Sequence, residues 1–269
     1  MQNVKHISSP QNPLIKQLLV LKEKSRERKK TGLFVLEGKR ELQLAIRTGY
    51  RVDTFCYCDA LISFKKLESE FQFDASVQII NLSLEVYKKL AYRDTTEGVI
   101  ALVKSKSHDL SQLNLKKENP FILVAEAPEK PGNIGALLRT ADAANMDAVL
   151  IANPNTDLYN PNIIRSSVGC VFSRKIGMAS STEIIRFLKD RSCTMYCAAL
   201  SASEVYTSVD FTGATAIIVG TEATGLSAEW LSNADKNIII PMEGEIDSMN
   251  VSVSAAILIF EGKRQRNKK

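Results

Sequence analysis

FILVAEAPEKPGNIGALLRTADAANMDAVLIA, Phe121 to Ala152, is the stretch on which the fold turns. It opens on an unbroken apolar run, Phe121 to Ala125, and closes on another, Ala148 to Ala152. Between them Ile134, Leu137, Leu138 and Ala141 recur at helical spacing, which predicts a helix over Ile134 to Ala144 with those residues as its buried stripe. Short continuous apolar strands on either side of a helix predict parallel strands covered on both faces. The alternation continues to the C-terminus. Helices are expected at Pro161 to Val168 and Thr182 to Asp190, strands at Thr194 to Leu200, Thr215 to Gly220 and Asn237 to Pro241, and a last helix at Asn250 to Glu261. The fold class expected is α/β with a mostly parallel sheet.

Upstream, a second and smaller α/β pattern is legible. Leu14, Leu18 and Leu21 mark one face of a charged helix running to Lys30. Glu37 to Arg47, Phe64 to Phe71 and Ser83 to Leu90 read as helices, with Ser83 as an N-cap. Val52 to Tyr57, Val77 to Asn81 and Val99 to Val103 read as strands. The polar stretch SKSHDLSQLNLKKEN reads as a linker. The expected organisation is therefore a basic helical segment at 1–30, a small domain at 31–104, a linker at 105–119 and a larger domain at 120–269.

Composition narrows the class. The 269 residues are 45% hydrophobic, enough for one or two real cores, and no apolar run is long enough to span a bilayer. With no apolar run of the signal-peptide type near Met1, the simplest address is the cytoplasm. Five cysteines without paired CxxC elements suggest neither a disulfide framework nor a zinc site, and two histidines make a histidine metal centre or triad hard to build; no metal is expected. The net charge of +5 is uneven. Lys22, Lys24, Arg26, Arg28, Lys29 and Lys30 form one cluster, and Lys263, Arg264, Arg266, Lys268 and Lys269 another. Such runs also occur as solvated helix faces, but two of them on a nucleotide-type α/β pattern point toward phosphate contact.

Chemistry concentrates in three places. In PGNIGALLR, Asn133 starts the helix and Arg139 lies off its buried stripe, with Gly135 four residues before it. In AIIVGTEATGLS, an apolar strand runs into Gly220, Glu222 and Gly225, a loop where backbone can approach a ligand at a strand C-terminus. It is neither a Walker A loop nor a GxGxxG fingerprint, which weakens a dinucleotide-dependent oxidoreductase. In IIIPMEGEIDSMNVSVSAAILIFE, a strand ends at Pro241, a polar loop carries Ser248 and Asn250, and the following helix is apolar or small nearly all round. That helix is either a core helix or one shared with a second subunit. Each pattern alone is equally that of an ordinary capped helix, a strand-to-helix turn or a core helix.

Taken in order, the three resemble the SpoU/TrmH family of SPOUT methyltransferases: Asn133 to Arg139, Gly220 to Gly225, and Ile240 to Val253. The N-terminal SPQNPLIKQL, FVLEGKRELQLA and TTEGVIALV resemble the family's appended RNA substrate-binding domain, which is similar to RNA-binding ribosomal proteins. Three positions depart from the family's usual residues: Met249 for leucine, Thr221 for asparagine or serine, and Ala223 for glycine. The resemblance implies a deep trefoil knot in roughly the last sixty residues, a known exception to the unthreaded chain. It implies a homodimer and S-adenosylmethionine as cofactor, held near Leu200, Gly220, Ile240 and Met249. It implies methyl transfer to a ribose 2′-hydroxyl of RNA, with rRNA ahead of tRNA. Arg139 is then the catalytic group, with Asn133, Glu222, Ser248 and Asn250 ordering ribose, loop and arginine. The alternative on the same scaffold is a non-catalytic RNA-binding factor of ribosome assembly.

Overall fold

The structure, a computed structural model, describes residues 4–92, 97–202, 204–246 and 248–267. Thr95 and Thr96 of the N-terminal motif, and Lys268 and Lys269 of the basic tail, lie outside the described residues. The chain divides into two compact units, residues 1–107 with 158–173, and residues 108–157 with 174–269. The stretch 158–173 sits inside the expected 120–269 domain but packs with the N-terminal unit, so that domain is interrupted.

The first unit runs β1 (Lys5–Ile7), α1 (Pro13–Glu23), α2 (Ser25–Thr31), β2 (Leu33–Glu37), α3 (Lys39–Arg47), β3 (Val52–Tyr57), α4 (Phe64–Glu70), β4 (Gln78–Leu82), α5 (Leu84–Leu90) and β5 (Val99–Lys104). Its sheet has the order β1-β4-β3-β5-β2, with β5 antiparallel to both neighbours. Ser83 caps α5, its side chain accepting from Val86 N. The single helix expected from Leu14 to Lys30 is two. Lys24 is extended (φ −105°, ψ 107°), and the chain turns there. Arg28 is then buried, its guanidinium donating to the carbonyls of Leu21 (2.5 Å) and Lys22 (3.1 Å). One member of the basic cluster thus closes the α1–α2 corner and is withdrawn from phosphate contact. The strands β1 and β2 were absent from the expected set. Lys5–Ile7 is a three-residue edge strand, and Leu33–Glu37 runs straight into the helix that follows it.

Residues 158–173 supply α7 (Pro161–Ser166) and α8 (Cys170–Ser173) to this unit. Tyr159 stacks on Phe34 at 4.3 Å and its hydroxyl meets that of Tyr50 at 3.2 Å, while Phe172 packs edge-on to Tyr50 at 5.1 Å. An aromatic cluster therefore fastens a stretch remote in sequence.

The second unit runs β6 (Phe121–Glu126), α6 (Pro131–Ala143), β7 (Ala148–Ala152), β8 (Ile176–Ala179), α9 (Ser181–Lys189), β9 (Thr194–Ala198), β10 (Glu204–Val205), β11 (Thr215–Val219), α10 (Ala228–Asn233), β12 (Lys236–Ile239) and α11 (Val251–Arg266). Its seven strands, in the order β10-β12-β9-β11-β6-β7-β8, are all parallel. The mostly parallel α/β architecture expected from the apolar runs is the one observed. β6, β7 and β11 are buried along their whole length because helices cover both faces. Pro131 opens α6, a capping box of Ser180 and Glu183 opens α9, and Asn250 caps α11. The stretch expected as a linker is partly structural. Leu110, Leu113 and Leu115 pack on this unit's core, and Asp109 forms an isolated bridge to Met178 of β8.

Candidate functional site

Three parallel strands end side by side. β9 stops at Ala198, β11 at Val219 and β12 at Ile239, and the chain beyond each lines one open cleft of about 610 Å³. Leu200, Gly220, Ile240 and Met249 all line it, as do Glu222 and Ser248. Strand C-termini of a parallel sheet are where such folds receive ligands, because the loops there expose backbone amides and carbonyls. The loop after β11 is shaped by its glycines. Thr221 and Gly225 exchange backbone hydrogen bonds at 3.0 and 3.1 Å, and Gly225 takes φ +68°. A Cβ on Gly220 would come within 2.2 Å of the Gly225 carbonyl, so only glycine lets the loop close this tightly. Thr221 Oγ1 and Thr224 Oγ1 brace it at 2.8 Å.

At the cleft's edge the three sequence motifs meet. Asn250 Nδ2 donates to Glu222 Oε1 at 2.9 Å and to Asn133 Oδ1 at 3.2 Å. Asn133 Nδ2 donates to the same Glu222 oxygen, and the Lys130 ammonium donates to the other. Asn250 Oδ1 accepts from Ser252 N (2.9 Å) and Ser252 Oγ (2.6 Å), so one amide both caps α11 and joins the cluster. The Lys130 hydrogen bond, followed by that of Asn133, holds the Glu222 carboxyl below its ordinary value. A charged acceptor surrounded by donors fixes the starts of α6 and α11 against the loop after β11.

Arg139 is placed apart. It lies six residues beyond Asn133 on α6, about 120° around the axis and about 9 Å along it. It is exposed, and among the described residues it makes no hydrogen bond or ion pair. Glu222, expected to position Arg139 or the substrate, holds Lys130, Asn133 and Asn250. Sequence reasoning missed Lys130 and Ser252. Lys130 precedes the motif, and only the fold brings it to a carboxylate 92 residues on. All five cysteines are buried, and burial pushes the Cys56 and Cys197 thiols up to about 12, away from thiolate chemistry.

Residues 120–260 match the SpoU rRNA Methylase family. The chain belongs to that family. Residues 12–101 of this SpoU-family chain match the MRM3-like substrate binding domain. It is 28% identical over 257 residues to the 23S rRNA (guanosine(2553)-2'-O)-methyltransferase RlmP of Bacillus subtilis, covering 96% of this chain and 98% of the relative. It is 28% identical over 247 residues to the 23S rRNA (uridine(2479)-2'-O)-methyltransferase of Streptomyces viridochromogenes, covering 89% and 85%. Among solved structures, an RNA 2'-O ribose methyltransferase is 36% identical with a TM-score of 0.84, covering 97% of this chain and 99% of that one. The SpoU methyltransferase AviRb of Streptomyces viridochromogenes, solved with the cofactor AdoMet, is 26% identical with a TM-score of 0.85, covering 96% and 99%.

Proposed function

We propose that this protein transfers a methyl group from S-adenosylmethionine to a ribose 2′-hydroxyl of rRNA, in the cytoplasm, as a homodimer. The observation that carries the reading is the hydrogen-bonded cluster of Asn133, Glu222 and Asn250 at the edge of the cleft lined by Leu200, Gly220, Ile240 and Met249. The 23S rRNA named for the two curated relatives favours rRNA over tRNA. The cleft suits the cofactor chemically. Its side chains are apolar or small apart from Glu222 and a few hydroxyls. When bound, S-adenosylmethionine supplies an electrophilic methyl on a sulfonium whose leaving group is neutral.

The protein's own task is to align a weak nucleophile and to stabilise the charge it develops, and alignment alone contributes several kcal/mol. Arg139 does not act as a simple base, because a guanidinium stays protonated at any working pH. Its role is to stabilise developing alkoxide charge and grip the neighbouring phosphate, while the hydroxyl proton passes to solvent water. Asn133, Asn250 and Ser248 order the ribose and the loop, and Glu222 holds the two asparagines and Lys130. The family resemblance implies that the site is completed across the dimer, the partner subunit's Arg139 reaching this cleft, and the place of Arg139 apart from the cluster of its own chain supports that reading. The trefoil knot implied by the resemblance is expected to close between β12 and α11.

Arg139→Ala tests the assignment. Methyl transfer should be lost, while S-adenosylmethionine affinity by calorimetry stays within about tenfold, or about 1.4 kcal/mol. Normal turnover by the variant would remove Arg139 from the mechanism. Absence of S-adenosylmethionine binding by the wild type would favour a non-catalytic RNA-binding factor.

A further inference from the structure

The first unit holds a cavity of about 320 Å³ whose wall includes Lys22, Glu37, Arg40, Tyr92, Ile164 and Arg165. The volume is at the small end of ligand pockets. None of these residues belongs to the cleft of the second unit. The Arg165 guanidinium lies over the half-exposed ring of Tyr92, 4.3 Å from its centroid. Lys22 Nζ stands 5.7 Å from the same ring and donates to the Leu90 carbonyl. Burial lowers the Lys22 pKa against the raising pull of Glu37 and Glu23, the mark of an amine partly withdrawn from water at the wall. The Glu37 carboxylate is oriented by the backbone N–H of Tyr92, at 2.9 and 3.2 Å from its two oxygens, and retains lone pairs. Buried Ile164 adds an apolar surface, and Arg40 is exposed.

The backbone here is strained. Val168, also in the wall, has φ +53°, a left-handed conformation that a β-branched residue rarely takes. Gly169 follows at φ +80°, and a Cβ there would come 3.3 Å from Glu41 Cα. The turn after α7 is thus pressed against α3, and strain of this kind collects at functional sites.

We propose that this cavity receives one unpaired nucleobase of the RNA substrate, stacked on the Arg165–Tyr92 platform, its amino or imino edge donating to Glu37 and the adjoining phosphate held by Arg40. The inference rests on the RNA reading above. A guanidinium-on-aromatic platform, an apolar wall, an anchored carboxylate and a flanking cation are the elements by which unstacked bases are recognised. A paired base offers neither its face nor that edge. The cavity therefore selects a loop or bulge, and the second unit is left to do the chemistry.

The test uses the full chain and two RNAs of equal length and charge, a hairpin with 2-aminopurine in its loop and a fully paired duplex with 2-aminopurine in its stem. The wild type should prefer the hairpin and quench the loop fluorophore. Arg165→Ala and Tyr92→Ala should each weaken hairpin binding about tenfold and abolish quenching, leaving duplex affinity unchanged. Tyr92→Phe should retain the ring and the quenching. Arg165→Lys keeps the charge but not the plane, so it should leave the salt slope unchanged and fail to restore quenching. Full affinity and quenching with Arg165→Lys would mark a mere phosphate contact and overturn the proposal. So would hairpin preference that survives both alanine variants, or a wild type with no such preference. A wild type that binds neither RNA would overturn the RNA reading as well, whereas methylation of rRNA by variants indistinguishable from wild type would sink the base pocket alone.

Discussion

Asn250 performs two tasks that a substitution can separate. Its carbonyl oxygen caps α11, while its amide nitrogen donates to Glu222 and Asn133. Asn250→Asp keeps a good N-cap acceptor and loses both donors, placing a carboxylate beside Glu222. Methyl transfer should fall at least tenfold with little change in melting midpoint, whereas Asn250→Ala should cost about 1 kcal/mol of stability as well. If Asn250→Asp remains fully active, the amide's contacts are dispensable. Glu222 gives a second test. Its carboxyl is depressed below 4.5, chiefly by Lys130. A folded-state pKa below the unfolded one means that the cluster's contribution to stability is present above the unfolded value and is lost as pH falls through the folded one. Lys130→Met should therefore move the Glu222 titration, followed by its carboxyl carbon resonance, upward toward 4.5. An unmoved midpoint would remove Lys130 as the chief cause.

At the scale of elements, α11 explains the ambiguity of its own sequence. Ala255, Leu258, Ile259 and Gly262 face inward and are buried. Val253, Ala256, Ile257 and Phe260 fall on another face at helical spacing, and Val253 and Phe260 are 49% and 51% exposed. An apolar stripe facing water on a helix already packed on its other side suits a second subunit. Ala255 is fully buried within the chain, so a bulky residue there would disturb folding by about 1–3 kcal/mol and say nothing of assembly. Val253→Asp combined with Phe260→Asp should instead yield a folded monomer by light scattering at micromolar concentration, with methyl transfer lost. A dimer that persists would place the interface elsewhere. Elements with a strong local pattern are legible in the sequence. α6, with its apolar stripe, and β6, β7 and β11, with unbroken apolar runs, lie within a few residues of expectation. β1, β8 and β10 were not legible, because strands of two to four residues carry no period. The break at Lys24 escaped because a lysine gives no turn signal.

For the whole molecule, what the sequence withheld is what depends on long-range packing. The resemblance of the ordered motifs singled out Asn133, Glu222 and Asn250, whereas the part of Lys130 in their cluster exists only through the fold. The affiliation of 158–173 with the first unit depends on Tyr50, Tyr159, Phe34 and Phe172 meeting across more than a hundred residues, which no local pattern announces. Arg28 looked like one more cation in a basic run and is a buried corner brace. The central claim is that this chain places a methyl group on a ribose 2′-hydroxyl of rRNA, and it is tested most directly by mapping 2′-O-methyl marks across total RNA from cells with and without the gene. One rRNA nucleotide should lose its mark in the deletion strain, regain it with the wild-type gene and fail to regain it with Arg139→Ala. An unchanged rRNA map, or a lost mark confined to tRNA or to a base, would contradict it.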